Sequence, residues 1–479
     1  MGGDNVKLSL KIKTAYGIIA IADQCLYFLY GTFFLFFTTT VVGLHPGIAG
    51  AIAALGAIWD ALSSAIIGFI SDHTHSRFGK RRMFILCASI PVAIVTTLLF
   101  TAIQATMTMK IIYYTCMTLL FWTGYASFFI PFLAWGAELT EDYNERTRLR
   151  SFAYVGNTLG MAVGAVIPTI FVDYLMNMGR TQAQAWHGTA AMIAGCVFLS
   201  LVIGAWIIKE PGNVNGQSEN EKITLNTFWQ MSRDLVKGFT EILKLKSLRF
   251  VIYASILYLA ANTIFVADRL YFYTYNMGLD PLSITALMAI EPFAGMVFVP
   301  ILITTGKKLD KRSQYMIGMT ICGMSLLILR VIGTTNFAEA AFMLVAFGLG
   351  AICYWQLMPA MIYDVCEVDE LINGKQRQGT IVSLQAMSES ISEAVGLILL
   401  GNMLQWAGFD GNASVQPKEA LLWVENAFTL IPAVFMFLSV YMIYKYPITR
   451  KVFNKVLAAV EKQRQGEEIE LEKFKKILM

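Results

Sequence analysis

"AIWDALSSAIIGFISDHTHSRFGKRR", residues 57–82, sets an aspartate, Asp60, inside an apolar run and closes that run with a dense basic patch. The run from 46 to 71 is long enough to cross a bilayer, whose hydrocarbon core of about 30 Å takes roughly 20 apolar residues as a helix. A carboxylate at the centre of such a helix costs about 2.5–3.5 kcal/mol on insertion scales, so it belongs inside a bundle and serves a purpose there. The adjoining patch, with Arg77, Lys80, Arg81 and Arg82, marks a cytoplasmic loop, because loops on that side carry the excess of Lys and Arg.

The same signal recurs along the chain. Its 479 residues are 56% hydrophobic and only 15% charged, and the mean hydropathy is +0.57, which excludes an ordinary soluble domain. Apolar runs at 14–42, 46–71, 83–105, 110–139, 151–177, 184–208, 248–277, 281–306, 315–334, 338–365, 380–406 and 418–446 predict twelve spans. They are too long for barrel strands, and a helix satisfies its own backbone in lipid, so the expected class is an all-α membrane bundle. A second basic loop, Lys307, Lys308, Lys311 and Arg312, falls on the same side as the first, as do both termini, giving a multi-pass protein of the cell (inner) membrane. The opening "MGGDNVKLSLKIK" lacks the short core and cleavage site of a signal peptide and is expected to stay uncleaved. The cysteines, 25, 87, 116, 196, 322, 353 and 366, are odd in number and never form a CxxC pair, so they read as packing residues with neither disulfide nor metal site.

One long polar stretch interrupts the spans, from 209 to 247. It divides the chain into a six-helix half over 1–208, a cytoplasmic linker over 209–247, a second half over 248–446 and a cytoplasmic tail over 447–479. Within the linker Phe228, Met231, Leu235, Phe239 and Ile242 share a helical face, suited equally to a surface-lying helix or a tether. "PFLAWGAELTEDYNERTRLRS" from Pro131 and "PAMIYDVCEVDELINGKQRQG" from Pro359 repeat across this boundary, each leaving a span through acidic and then basic residues. Duplicated halves are how many secondary transporters alternate access. The recurring charges, Arg77, Arg81, Glu138, Asp142, Arg146, Asp364, Glu367 and Arg377, are candidate ion pairs of an inner gate; the plainer alternative is solvated loop charge.

These motifs carry a resemblance. "WDALSSAIIGFISDHTHSRFGKRR", "IPFLAWGAELTEDYNERTRL" and "MIYDVCEVDELINGKQRQG" resemble the glycoside–pentoside–hexuronide:cation symporters of the major facilitator superfamily, over all twelve spans. The resemblance implies sodium- or proton-coupled uptake of sugars and related solutes. It implies a cation-binding role for Asp60, with Ser64 standing where the family places a second carboxylate. It implies a sugar-lining role for Trp355 and keeps Gln385, while Ser390 replaces an expected lysine, Phe129 an expected aspartate and Ala153 an expected arginine. An expected first-span aspartate aligns with Gln24, beside Asp23. The sugar-gripping charges are thus largely missing, which argues against a plain hexoside.

The ionisable residues give a parallel reading. Ser63 and Ser64 follow Asp60 on one helical face, a set able to hold a small hard cation or a proton. Glu389 and Glu393 lie one turn apart in mid-span and want a cation, a proton or a positively charged solute. Glu291 is a further candidate, and Asp268 and Arg269 are expected to pair separately across the bundle. Arg330, near a span end, is expected to snorkel. His73, His75 and His187 lack metal-ligand spacing. Tyr27, Trp59, Tyr125, Trp135 and Trp355 can stack on a sugar or simply pack.

The combined expectation is a symporter coupled to Na+ or H+, with Asp60, Ser64 and Asp23 at the cation and Trp355, Gln385, Glu389, Glu393, Gln24, Tyr125, Phe129 and Ser390 at the solute. It needs no cofactor beyond the coupling ion, binds a small molecule and the lipid bilayer but no nucleic acid, and works as a monomer. Alternatives are a carrier of an amphipathic or lipid-like solute, proton-coupled efflux, or a non-transporting sensor. An enzyme is not expected, since no span carries a metal cluster or a nucleophile beside a base.

Overall fold

The structure, a computed structural model, describes residues 8–74, 76, 79–140, 143–208, 233, 237–334, 336–374, 377–411, 413, 415–465, 467 and 471–478. These residues form helices: α1 Leu10–Phe36, α2 Pro46–His73, α3 Lys80–Leu99, α4 Met107–Glu138, α5 Tyr143–Ala165, α6 Ile167–Asn177, α7 Gln182–Ile207, α8 Lys246–Tyr271, α9 Pro281–Thr305, α10 Lys311–Ile332, α11 Phe337–Asn373, α12 Gln378–Trp406, α13 Lys418–Phe428, α14 Leu430–Lys445, α15 Arg450–Arg464 and α16 Leu471–Leu478. Caps start several of them: the side chains of Ser9 and Thr106 accept from the first-turn amides of α1 and α4, and capping boxes open α7 and α11.

Among the described residues eleven helical stretches are long and apolar enough to cross a membrane. The twelfth expected span, 380–406, does not reach that apolarity. Its helix α12 has the length, 29 residues, but carries Glu389, Glu393 and the serines 383, 388, 390 and 392. Two other expected spans are each broken once. α5 gives way to α6 before Pro168, and α13 to α14 before Pro432, where the proline removes an amide donor and clashes with the carbonyl four residues back.

The chain forms two compact units. One comprises Met1–Gln217, Val266–Ala289 and Leu397–Val424; the other comprises Ser218–Phe265, Ile290–Gly396 and Glu425–Met479. In the first unit α1 and α5 meet backbone to backbone. A Cβ at Gly156, Gly160 or Gly164 would run into the carbonyl of Gly17, Ile21 or Cys25, so this small-residue stripe sets how closely the helices approach.

The same unit contains an internal repeat, F-x-T-x-x-x-G-L-x-P, at 37–46 and 272–281. Both copies fold alike. α1 and α8 each end in a five-residue π-helical turn, Phe37–Val41 and Phe272–Asn276, closed by Val42 N to Phe37 O and Met277 N to Phe272 O at 3.1 Å. Gly43 and Gly278 then take φ of 76° and 61°, a left-handed conformation open to glycine, and release the chain into the next proline-started helix.

In the second unit the tail is helical as its composition suggests. Val456, Ala459 and Val460 of α15 are buried, and Arg450 donates to the carbonyls of Gly306, Lys307 and Leu309 at the end of α9. Of the linker face, Phe228, Met231 and Leu235 lie outside the described residues, while 237–242 is helical with Ile242 buried.

Candidate functional site

Two polar clusters stand among the spans, one in each unit. In the first unit α1, α2 and α4 bring together Asp23, Asp60 and Tyr125. Asp23 is buried; it accepts from Tyr125 Oη at 2.6 Å and from Gln24 Nε2 at 3.0 Å. Tyr125 is itself fixed, stacked on Phe129 at 5.2 Å and edge-on to Trp122 at 5.3 Å. Asp60 on α2 is half-buried, near enough for the Asp23 charge to act on it, and Tyr125 senses both carboxyls. Trp59 Nε1 donates to Thr123 Oγ1 at 2.8 Å and ties α2 to α4.

The two serines after Asp60 behave differently. Ser64 Oγ reaches Asp60 Oδ1 at 3.4 Å, whereas Ser63 Oγ bonds the Asp60 main-chain carbonyl at 3.1 Å and leaves the carboxyl alone. Neither Asp23 nor Asp60 has an Arg or Lys partner among the described residues. Two acidic side chains ringed by a phenol, an amide and a hydroxyl form an oxygen-rich place for a small cation or a proton. Among the described residues no three His, Cys, Asp or Glu side chains group as a metal site.

In the second unit α8, α11 and α12 build a different cluster. Gln385 Nε2 donates within a set formed by Ser255 Oγ at 2.7 Å, Glu389 Oε1 at 3.1 Å and Tyr354 Oη at 3.2 Å. Ser255 and Tyr354 hydroxyls lie 2.5 Å apart, and the Tyr354 ring stacks on Tyr258 at 4.3 Å. The Gln385 Oε1 atom is buried without a hydrogen-bond partner among the described residues. Trp355 stands nearly perpendicular to Tyr354 at 5.1 Å with half its surface open. Glu393 and Ser390 are half-buried on α12, and Ser390 Oγ turns back to Ala386 O at 3.5 Å. Ser255 and Tyr354 carry no signal in the sequence, where a serine and a tyrosine in apolar runs look ordinary until the helices pack.

Several of the charged loop residues are paired. Arg81 donates to Glu138 at 2.8 Å and to Ser71 at 2.7 Å, with Lys80 also on Glu138 at 3.1 Å. Burial pushes the Glu138 carboxyl up, but Arg81 and Lys80 outweigh it and hold the group below its ordinary value. Asp364 is held by Lys311 at 2.6 Å, and Glu367 lies 3.9 Å from Arg464 of the tail. Arg377 forks onto the buried Asp369, at 2.6 and 2.9 Å, and reaches Glu241 at 2.6 Å; the Asp369 bond above all keeps the guanidinium charged. Lys311, read in the sequence only as part of a basic loop, and Asp369, not singled out there, are the partners. Arg77, Asp142 and His75 lie outside the described residues, as do the side chains of His73 and Arg146.

Two expectations are corrected. Arg330 does not snorkel: its Nε donates to Asn426 at 3.0 Å and its Nη1 lies 3.5 Å from Glu425. Of the neighbours on α8, Arg269 reaches Thr32 across to α1, but Asp268 has no hydrogen-bond partner among the described residues, because the helical turn between the two aims only one at a polar group. The remaining singled-out groups divide between packing and surface. Trp135 is buried in the bundle, Tyr27 is partly open, and exposed His187 bonds Thr101 at 2.9 Å.

Whole-chain comparisons agree with this architecture. The chain is 25% identical to the uncharacterised symporter sll1374 of Synechocystis sp. over 97% of its own length and 98% of the relative's. It is 24% identical to the isoprimeverose transporter of Lactiplantibacillus pentosus, covering 95% of this chain and 92% of that one. Its fold matches a solved structure of a proton-dependent oligopeptide transporter with a TM-score of 0.67 at 12% identity, covering 95% of this chain and 99% of the other. The MFS/sugar transport protein family matches residues 15–450, and the chain belongs to it: a helical membrane transporter of the major facilitator kind, and not an enzyme.

Proposed function

We propose that the protein is a symporter that couples the entry of Na+ or H+ to uptake of a sugar, glycoside or related small organic solute by alternating access. Asp60, with Asp23, Ser64 and Tyr125, takes the coupling ion. Trp355, Gln385, Glu389, Glu393 and Ser390 recognise the solute, with Gln24 and Phe129 as further contacts. The observation that carries this reading is the pair Asp23 and Asp60, two intramembrane carboxyls without an Arg or Lys partner among the described residues, the first bonded by Tyr125 and the second by Ser64. The isoprimeverose-carrying relative supports a glycoside as solute.

The repeated motifs, at Pro131 and Pro359 and at 37–46 and 272–281, support two six-helix halves with α12 as the twelfth span. Both termini and the basic loops are cytoplasmic in the cell membrane, the charged pairs on those loops act as a gate, and a monomer without cofactor suffices. A second reading, an amphipathic solute or efflux, rests on Phe129, whose ring lies against Tyr125 where a sugar site would want a polar group.

Asp60→Asn in vesicles tests the assignment. The variant is expected to fold and to exchange solute at equilibrium, but to lose accumulation driven by a sodium or proton gradient. Accumulation at the wild-type level would overturn it. Thermal stabilisation by isoprimeverose, a glucuronide and a lysolipid, each with sodium, with potassium and at two pH values, separates the two solute readings.

A further inference from the structure

Asp268 is fully buried in α8, and among the described residues it is the one carboxyl with both oxygens buried and without a hydrogen-bond partner. No Lys, Arg or His among the described residues forms an ion pair with it. Its neighbour Arg269 is turned aside, with Nη2 donating to Thr32 Oγ1 on α1 at 2.8 Å. Tyr271, which senses the Asp268 carboxyl, shares a 2.6 Å hydrogen bond with Thr39 and lies edge-on to Phe36 and Phe409. Tyr275, with Asp410 acting on it, comes past the start of the π-helical turn. α1 presents Thr32 and Phe36, and the π-helical turn after it Thr39, to this region.

An ionised carboxylate enclosed in this way lacks both water and a donor, whereas the neutral acid fits an apolar setting far better. We propose that Asp268 is a proton-binding site separate from Asp60, loaded in the conformation seen here, and that its proton leaves only when the contact between α1 and α8 opens. In that step the O–H bond at Asp268 breaks and the proton passes to entering water. The carboxylate left behind is compensated by that water and by the Arg269 guanidinium, which must quit Thr32 to reach it. Ionisation of Asp268 and loss of the Arg269–Thr32 bond are therefore one event. The inference stands whether or not Asp60 binds the coupling ion.

Infrared spectra of the full chain in lipid vesicles, wild type minus Asp268→Asn, test the site. A neutral-carboxyl C=O stretch that shifts in deuterium oxide is expected in the difference at neutral pH, and it should be untouched by Asp60→Asn. Its absence overturns the proposal. Should Asp268→Asn fail to fold, Asp268→Glu must displace the band, and an unmoved band overturns it equally. Hydrogen exchange over 263–280 tests the link to the helix contact. After correction for intrinsic exchange, opening should increase in the wild type as the pH is raised from about 5 to about 8 and stay level in Asp268→Asn; identical responses would remove the link.

Discussion

The cluster of the first unit and the cluster of the second are variations on one plan with different polar groups: two carboxyls and a phenol in one, an amide, two hydroxyls and one carboxyl in the other. Counting back fourteen residues from the repeated Phe37 and Phe272 leads to Asp23 on α1 and Tyr258 on α8. Each meets a buried tyrosine: Asp23 accepts from Tyr125, and Tyr258 stacks on Tyr354. In one copy the position holds a carboxyl, bonded by Tyr125 and Gln24. In the other it holds a phenol beside an amide, a serine and a single glutamate. The same chain position thus carries a carboxyl in one copy of the repeat and a phenol in the other.

The largest expected effect separates the two at once. Asp23→Asn should abolish ion dependence of solute binding while leaving the protein folded, because an amide keeps the bond from Tyr125 and loses the charge. Ligand-induced melting shifts with and without sodium, and across pH, check this; an unchanged ion dependence would erase the contrast between the clusters.

Smaller effects come from the tyrosines. Tyr125→Phe removes a donor from a buried acceptor, a loss of about 1–3 kcal/mol expected in ion affinity. Tyr354→Phe removes one hydroxyl from the network around Gln385 and should weaken solute binding by about 1 kcal/mol, roughly fivefold, without altering the ion dependence. If Tyr354→Phe shifts ion affinity as far as Tyr125→Phe does, the two clusters are not divided in labour.

The smallest effect lies on the loops. Glu138 is held below its ordinary value of 4.5 by Arg81 and Lys80, so its contribution is present at neutral pH and is lost as the pH falls through that lowered value. With the side chain 37% exposed, solvent limits the contribution to a few tenths of a kcal/mol. Glu138→Gln should melt slightly below the wild type at pH 7 and match it in strong acid; a constant gap at all pH values would show that the charge is not what matters.

Much of the fold was legible because hydropathy and span length are imposed by lipid, residue by residue. α12 has the length expected of a span, while Glu389, Glu393 and its serines keep it less apolar than the eleven stretches that qualify among the described residues. The breaks at Pro168 and Pro432 were written in the sequence but were masked by unbroken hydropathy. The polar clusters were legible where a charge is out of place in lipid, as at Asp60, and illegible where polar contacts arise from packing. Ser255, Tyr354 and the stripe Gly156, Gly160 and Gly164 look like ordinary span residues until α8, α11 and α12, or α1 and α5, come together. The partners of Asp364 and Arg377 were hidden because Lys311 and Asp369 compete with nearer charges that sequence distance favours.

The two π-helical turns hold a store of chain. Each winds one more residue into its loop than an α-turn would, so rewinding either one as α-helix would feed a single residue onward, displacing the downstream chain by about 1.5 Å and about 100°. A helix built in this way can act as a screw with one spare thread at its tip, turning its end residues by a fixed increment while the backbone stays hydrogen-bonded throughout.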